Sequence, residues 1–181
     1  FLQCDVGDYQ SVKNVSKQIK KTKKPIKAVI NAAGIASMNM AVTTDNSTVR
    51  KLVQTNLIGT INSCQLFAPI MLRVKNGCFI NFSTIAVHLA LKGESVYAAT
   101  KAGVETFSRT FAREMADFNI RVNCIAPGPI NTDLLRGITN EQIIKITSQQ
   151  IIPKQFQKSD VCDLVELLID DKASSLSGQI L

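Results

Sequence analysis

The 181-residue chain has no tryptophan, one histidine and two tyrosines. A zinc site has little to draw on, because His88 has no Cys, Asp or Glu near it at ligand spacing. The five cysteines, Cys4, Cys64, Cys78, Cys124 and Cys162, are odd in number and form no CxxC pair. They read as small buried apolar residues of a reducing compartment such as the cytoplasm, not as disulfides or metal ligands. No apolar run approaches the ~20 residues of a membrane span. The opening "FLQCDVGDYQ" has neither the basic flank nor the cleavage pattern of a signal peptide. Neither a metal nor a membrane is expected.

What is present is ordinary for one globular domain: 45% hydrophobic and 19% charged residues, without low-complexity tracts. The net charge of +7 is concentrated in "KQIKKTKKPIK", residues 17–27. No aromatic residue interleaves with these lysines, so they read as a solvated helix face and not as a nucleic-acid surface.

The apolar pattern alternates strand and helix. "FLQCDV" reads as a buried strand. Val12, Val15 and Ile19 give Ser11–Lys24 a helical spacing, with Asp8 as its cap. "KAVINAAG" is a second strand ending in a small-residue turn, and a long helical region follows over about 48–75. "GCFINFS" is the next strand, 95–118 a helix, and "IRVNCIAPGP" a strand stopped by Pro127 and Gly128. A weakly patterned stretch runs to about 158, then come a helix over 160–169 and a last strand at "SGQIL". Wholly apolar strands with helical crossovers predict an α/β, Rossmann-like doubly wound parallel sheet. In such sheets ligands sit beyond the carboxyl ends of the strands.

One stretch, "ESVYAATKAG" at 94–103, sets a tyrosine four residues before a lysine among small residues. That step places Tyr97 and Lys101 on one helix face, a turn apart. The small residues alone would suit close helix packing. A phenol beside a fixed ammonium is also a means of turning tyrosine into a working acid.

With "CDV" at 4–6, "NAAG" at 31–34, "TNLIGT" containing Asn56, "INFST" at 80–84, "YAATK" at 97–101 and "PGPINT" at 127–132, the chain resembles the short-chain dehydrogenases/reductases. The motifs keep the family's order and cover nearly the whole chain. Within the family it looks most like the 3-oxoacyl-(acyl-carrier-protein) reductases of fatty acid biosynthesis and their carbonyl-reductase relatives. The resemblance implies an NADP- or NAD-dependent oxidoreductase in which Tyr97 gives a proton to a carbonyl oxygen. Free tyrosine has a pKa of about 10, so roughly 3–4 kcal/mol of phenolate stabilisation is needed near neutral pH. Lys101 and the oxidised cofactor's charge are expected to supply it. Lys101 would also hold the ribose hydroxyls, and Asn56 would anchor a proton-relay water. The family's carbonyl-orienting hydroxyl falls at Thr84, in place of the usual serine, with Ser83 beside it. Neighbours at a strand end face opposite sides, so one of the two serves, and the register favours Thr84.

The resemblance further assigns the adenine to Asp5 and Val6, and the adenosine side to Asn31, Ala32, Ala33 and Gly34. The nicotinamide carboxamide falls to Pro127, Gly128, Ile130 and Thr132, and a substrate lid to about 133–158. A homotetramer packed through 48–75 and 95–118 is implied when full length. Leu66, Phe67, Ile70, Met71, Phe107 and Phe111 offer more apolar surface than one sheet face would cover.

Three departures stand out. No glycine-rich cofactor turn occurs among the nine glycines. The chain is therefore expected to be a single partial domain, 1–181, lacking the first two strands and the end of the last, and inactive alone. The edge strand at 1–4 should lie about 14 Å from "KAVIN", at ~4.8 Å per strand. Of the two basic positions that dock acyl carrier protein, one is kept as Lys75 and the other falls on Phe118. The lid's arginine is replaced by Lys154 and Gln155. The first expectation is reduction of a carbonyl, foremost a 3-oxoacyl thioester, to a secondary alcohol. A non-catalytic cofactor-binding or assembly subunit is the alternative, and nucleic-acid binding comes third.

Overall fold

Three parallel strands, β1 (Ala28–Asn31), β2 (Gly77–Phe82) and β3 (Ile120–Ile125), lie in the order β1-β2-β3 in the computed structural model, which describes residues 1–130, 132, 139–154 and 156–181. Ala28 pairs with Cys78 and Asn31 with Asn81, while Gly77 pairs with Ile120 and Phe82 with Ile125. The expected strand at "SGQIL" runs parallel to β3. Its backbone makes one bridge, Cys124 to Ile180, and hydrogen bonds from Cys124 to Gln179 and from Ala126 to Leu181.

β2 is buried from Gly77 to Asn81 and apolar but for Asn81, because both its faces are covered. Phe79 packs with Cys64, Ala68 and Met71 of α3 (Gly59–Met71) and with Phe111 of α5 (Ser95–Met115). Cys78 and Ile80 face the other way, onto Leu168 of α7 (Lys158–Ile169). α1 (Tyr9–Lys21) lies on α3, and its first turn is capped by Asp8, which accepts from the Gln10 N–H at 2.9 Å. The long helical region divides into α2 (Asn46–Leu52), a π-helical turn over Val53–Ile58, and α3. A short α4 (Ala86–Leu89) precedes α5, and α6 (Asn140–Ser148) precedes α7.

Several expectations are corrected. Phe1–Cys4 forms no strand. A strand exists through its ladder, and no described residue pairs with this segment, which stays exposed. Its absence of pairing with β1 is as expected. The weakly patterned stretch contains α6, in which Ile143 and Ile146 share one face and Ile144 is exposed. Met71 and Phe111 belong to the core, not to a spare apolar face, and Phe107 stacks on Phe111 with ring centres 5.2 Å apart. Phe118 also packs against that core. Cys64, Cys78 and Cys124 are buried, but Cys4 and Cys162 are exposed. Asn131, residues 133–138 of the expected lid and Gln155 lie outside the described residues.

Candidate active site

β2 ends at Phe82, and the next two residues bend towards the start of α5. This brings Thr84, Tyr97 and Lys101 to the wall of one cavity of about 270 Å³. The other wall is the loop after β3, with Pro127, Gly128, Ile130 and Thr132, and the floor is the turn after β1, with Ala32 and Gly34. Nine of the fourteen expected site residues therefore meet at the carboxyl ends of the strands.

Lys101 is buried, and its ammonium donates to the Phe82 carbonyl at 2.8 Å. Burial lowers its pKa to about 8, against which the nearby Cys124 thiol acts weakly. The Tyr97 phenol is pushed above its ordinary value, first by burial; a hydrogen bond from the Thr84 hydroxyl opposes this, and the charge of Glu94 adds to it. The lowered phenol expected from the sequence is thus not a property of the chain by itself. Burial favours the neutral form.

The two adjacent hydroxyls are separated as the strand end requires. Ser83 donates to the Glu105 carboxylate at 2.6 Å, and Glu105 also lies 3.6 Å from the His88 ring. Thr84 faces the cavity and bonds Tyr97.

Asn56 does not line the cavity but holds its edge. It sits in the π-helical turn, a distortion common at functional sites, and is wholly buried. Its side chain accepts from the Ile35 N–H at 2.9 Å and donates to the Ile35 carbonyl at 2.9 Å. The second N–H goes to the Thr100 hydroxyl at 3.2 Å. Both amide donors are spent within the protein.

Four expected residues lie away from the cavity. Asp5 accepts from the Gly7 N–H at 2.9 Å, and the Val6 carbonyl accepts from Asn62 at 3.0 Å. Gln54 holds the Gly7 carbonyl in the same turn. This segment packs so closely that a Cβ at Gly59 would stand 2.7 Å from Val6 Cγ2. Asn31 donates to Asn81 at 2.8 Å and so ties β1 to β2, and Ala33 is exposed. Conversely, Glu94 lines the cavity without belonging to any of the sequence motifs, although it opens the stretch containing Tyr97. Glu105, which fixes Ser83, left no signal: one carboxylate on a helix is usually solvated.

A family model described as enoyl-(acyl carrier protein) reductase matches residues 1–181. The chain belongs to the short-chain dehydrogenase/reductase family. Carbonyl reductase family member 4 of Xenopus tropicalis is 34% identical over 145 residues, covering 80% of this chain and 61% of that protein. This chain therefore spans under two thirds of that relative's length. The 3-oxoacyl-(acyl-carrier-protein) reductase FabG of Staphylococcus aureus is 32% identical over 178 residues, 98% of this chain and 72% of that protein. Among solved structures, ElxO with NADP bound superposes with a TM-score of 0.90 at 27% identity, covering 99% of this chain and 74% of that one. These likenesses agree with the parallel sheet and flanking helices described above.

Proposed function

We propose that this short-chain dehydrogenase/reductase reduces a carbonyl to a secondary alcohol, with 3-oxoacyl thioesters the first substrate class. The observation supporting it is the convergence of Thr84, Tyr97 and Lys101 on one cavity. The residues fit NADP or NAD at its nicotinamide end. A Cβ at Gly34 would stand 3.4 Å from Asn56 Oδ1 and 3.5 Å from Lys101 Nζ, so the bare glycine leaves the cradle in which a ribose can approach the ammonium. An ammonium has three N–H donors, and among the described residues Lys101 spends one, on Phe82. The other two would take the ribose hydroxyls. When bound, the cofactor supplies hydride to the carbonyl carbon.

The chain's own groups do the rest. Thr84 donates to the carbonyl oxygen and fixes its direction. Tyr97 passes its phenol proton to that oxygen as the C=O double bond becomes a C–O single bond. Lys101 favours the resulting phenolate through its charge. Asn56 holds the Ile35 peptide at the cavity edge, and with both amide donors spent it would anchor a relay water through an acceptor oxygen. Acyl carrier protein is the less supported partner, because Phe118, packed against the core, stands where a docking charge would be needed. A homotetramer through α3 and α5 is part of the same reading, and sedimentation of the whole protein as a monomer would remove it. The deciding experiment follows oxidation of NADPH and NADH by the whole protein with 3-oxoacyl thioesters and simple ketones. Carbonyl-dependent oxidation is expected; its absence with all of them would leave only the non-catalytic alternative.

A further inference from the structure

Glu94 is the only acidic side chain lining the cavity among the described residues, and it is 8% exposed. It occupies the N-cap position of α5, where short polar side chains accept from the N–H groups of the first turn. It makes no such bond. Its backbone is committed instead, with N–H donated to Leu91 and carbonyl accepting from Ala98. No hydrogen bond or ion pair to the carboxylate is shown among the described residues. The same cavity is lined by apolar residues including Ile35, Met38, Ile85 and Leu91. Burial accordingly pushes its pKa up.

The carboxylate oxygens of Glu94 keep contact with solvent at the cavity, and a ligand that expels this water without replacing it leaves an acceptor without a donor, which is costly. A substrate that brings its own donor removes that cost, and one that brings a second anion adds repulsion. From this we infer that Glu94 is a specificity-determining residue, selecting carbonyl substrates that present an ammonium or a hydroxyl close to the reacting carbonyl. The inference rests on the carbonyl-reductase reading and narrows its substrate class; a plain acyl chain would leave Glu94 unanswered. The ammonium is the stronger partner, since bonds between ionised groups are roughly twice as strong as neutral ones.

Three ring ketones of similar size separate the alternatives: 4-aminocyclohexanone (cationic), 4-methylcyclohexanone (neutral) and 4-oxocyclohexanecarboxylate (anionic). With the whole protein and NADPH, kcat/KM is expected to favour the cation over the neutral ketone by about tenfold or more, with the anion poorest. In Glu94→Gln the cation-to-neutral ratio is expected to fall to about one to two, since the amide keeps the shape and loses the charge. An unchanged ratio in Glu94→Gln, or a wild-type preference for the anion, would overturn the inference. If none of the three is reduced, the carbonyl-reductase reading is what suffers. The inference is then read from melting temperatures with each ketone present. The cation must stabilise wild type more than Glu94→Gln, and equal stabilisation would overturn it.

Discussion

The Ser83 hydroxyl donates to Glu105 at 2.6 Å and so turns into helix α5, although it adjoins Thr84, which bonds Tyr97. The consequence is a division of effects. Thr84→Ala is expected to cost about 2–4 kcal/mol in the transition state, read as kcat/KM on the best carbonyl substrate. Ser83→Ala should cost under about 1 kcal/mol there, but about 1–3 kcal/mol of stability in urea denaturation, because Glu105 loses a buried donor. The reverse pattern would move the carbonyl-orienting role to Ser83.

Tyr97→Phe is expected to abolish carbonyl reduction while leaving NADP(H) affinity nearly unchanged. The hydroxyl is used in proton transfer, so its loss falls on kcat and not on ground-state binding. Turnover retained at most of its wild-type value would remove Tyr97 from the mechanism.

Cofactor binding should weaken as pH rises through about 8, where Lys101 loses its proton. The effect on folding has the opposite sense. Between pH 8 and 10.5 the unfolded chain holds a lysine proton that the folded chain does not, so this group's contribution to stability improves as pH rises. Titrations of NADP(H) affinity against pH, for wild type and Lys101→Met, check the first statement. The variant should bind more weakly and show no such inflection. An inflection that survives in Lys101→Met belongs to another group.

Asn56→Ala is expected to destabilise the protein by roughly 2–4 kcal/mol, since it strands both the N–H and the carbonyl of Ile35. Urea denaturation measures this. A loss under about 1 kcal/mol would mean that the loop is held by something other than Asn56.

The parts of this site legible in the sequence are those fixed by local geometry. A four-residue step on a helix puts Tyr97 beside Lys101 whatever the helix packs against, and apolar strands β1 to β3 show where the sheet lies. The turn after β1 and the loop after β3 follow from the strand ends. What escaped depends on neighbours remote in sequence. Phe1–Cys4 has the composition of a strand but no described partner, and composition cannot supply a ladder. The tie from Asn31 to Asn81, which joins β1 to β2 across fifty residues, is of this kind. Glu94 could as well have been a capping residue; only the entry of the chain into α5 decides that it faces the cavity.

The π-helical turn over Val53–Ile58 makes the chain sensitive to length in a way that substitution would not expose. Such a turn is one residue more than an α-helix needs. Removing a residue there would heal the helix, not break it, but would rotate everything after it by about 100° relative to α2. Asn56 and the sheet-facing side of α3 could then no longer both reach their partners. A deletion of this kind would leave the circular dichroism of the protein almost untouched while unfastening Ile35 at the cavity edge. Helix content would be a misleading measure of whether this site is intact.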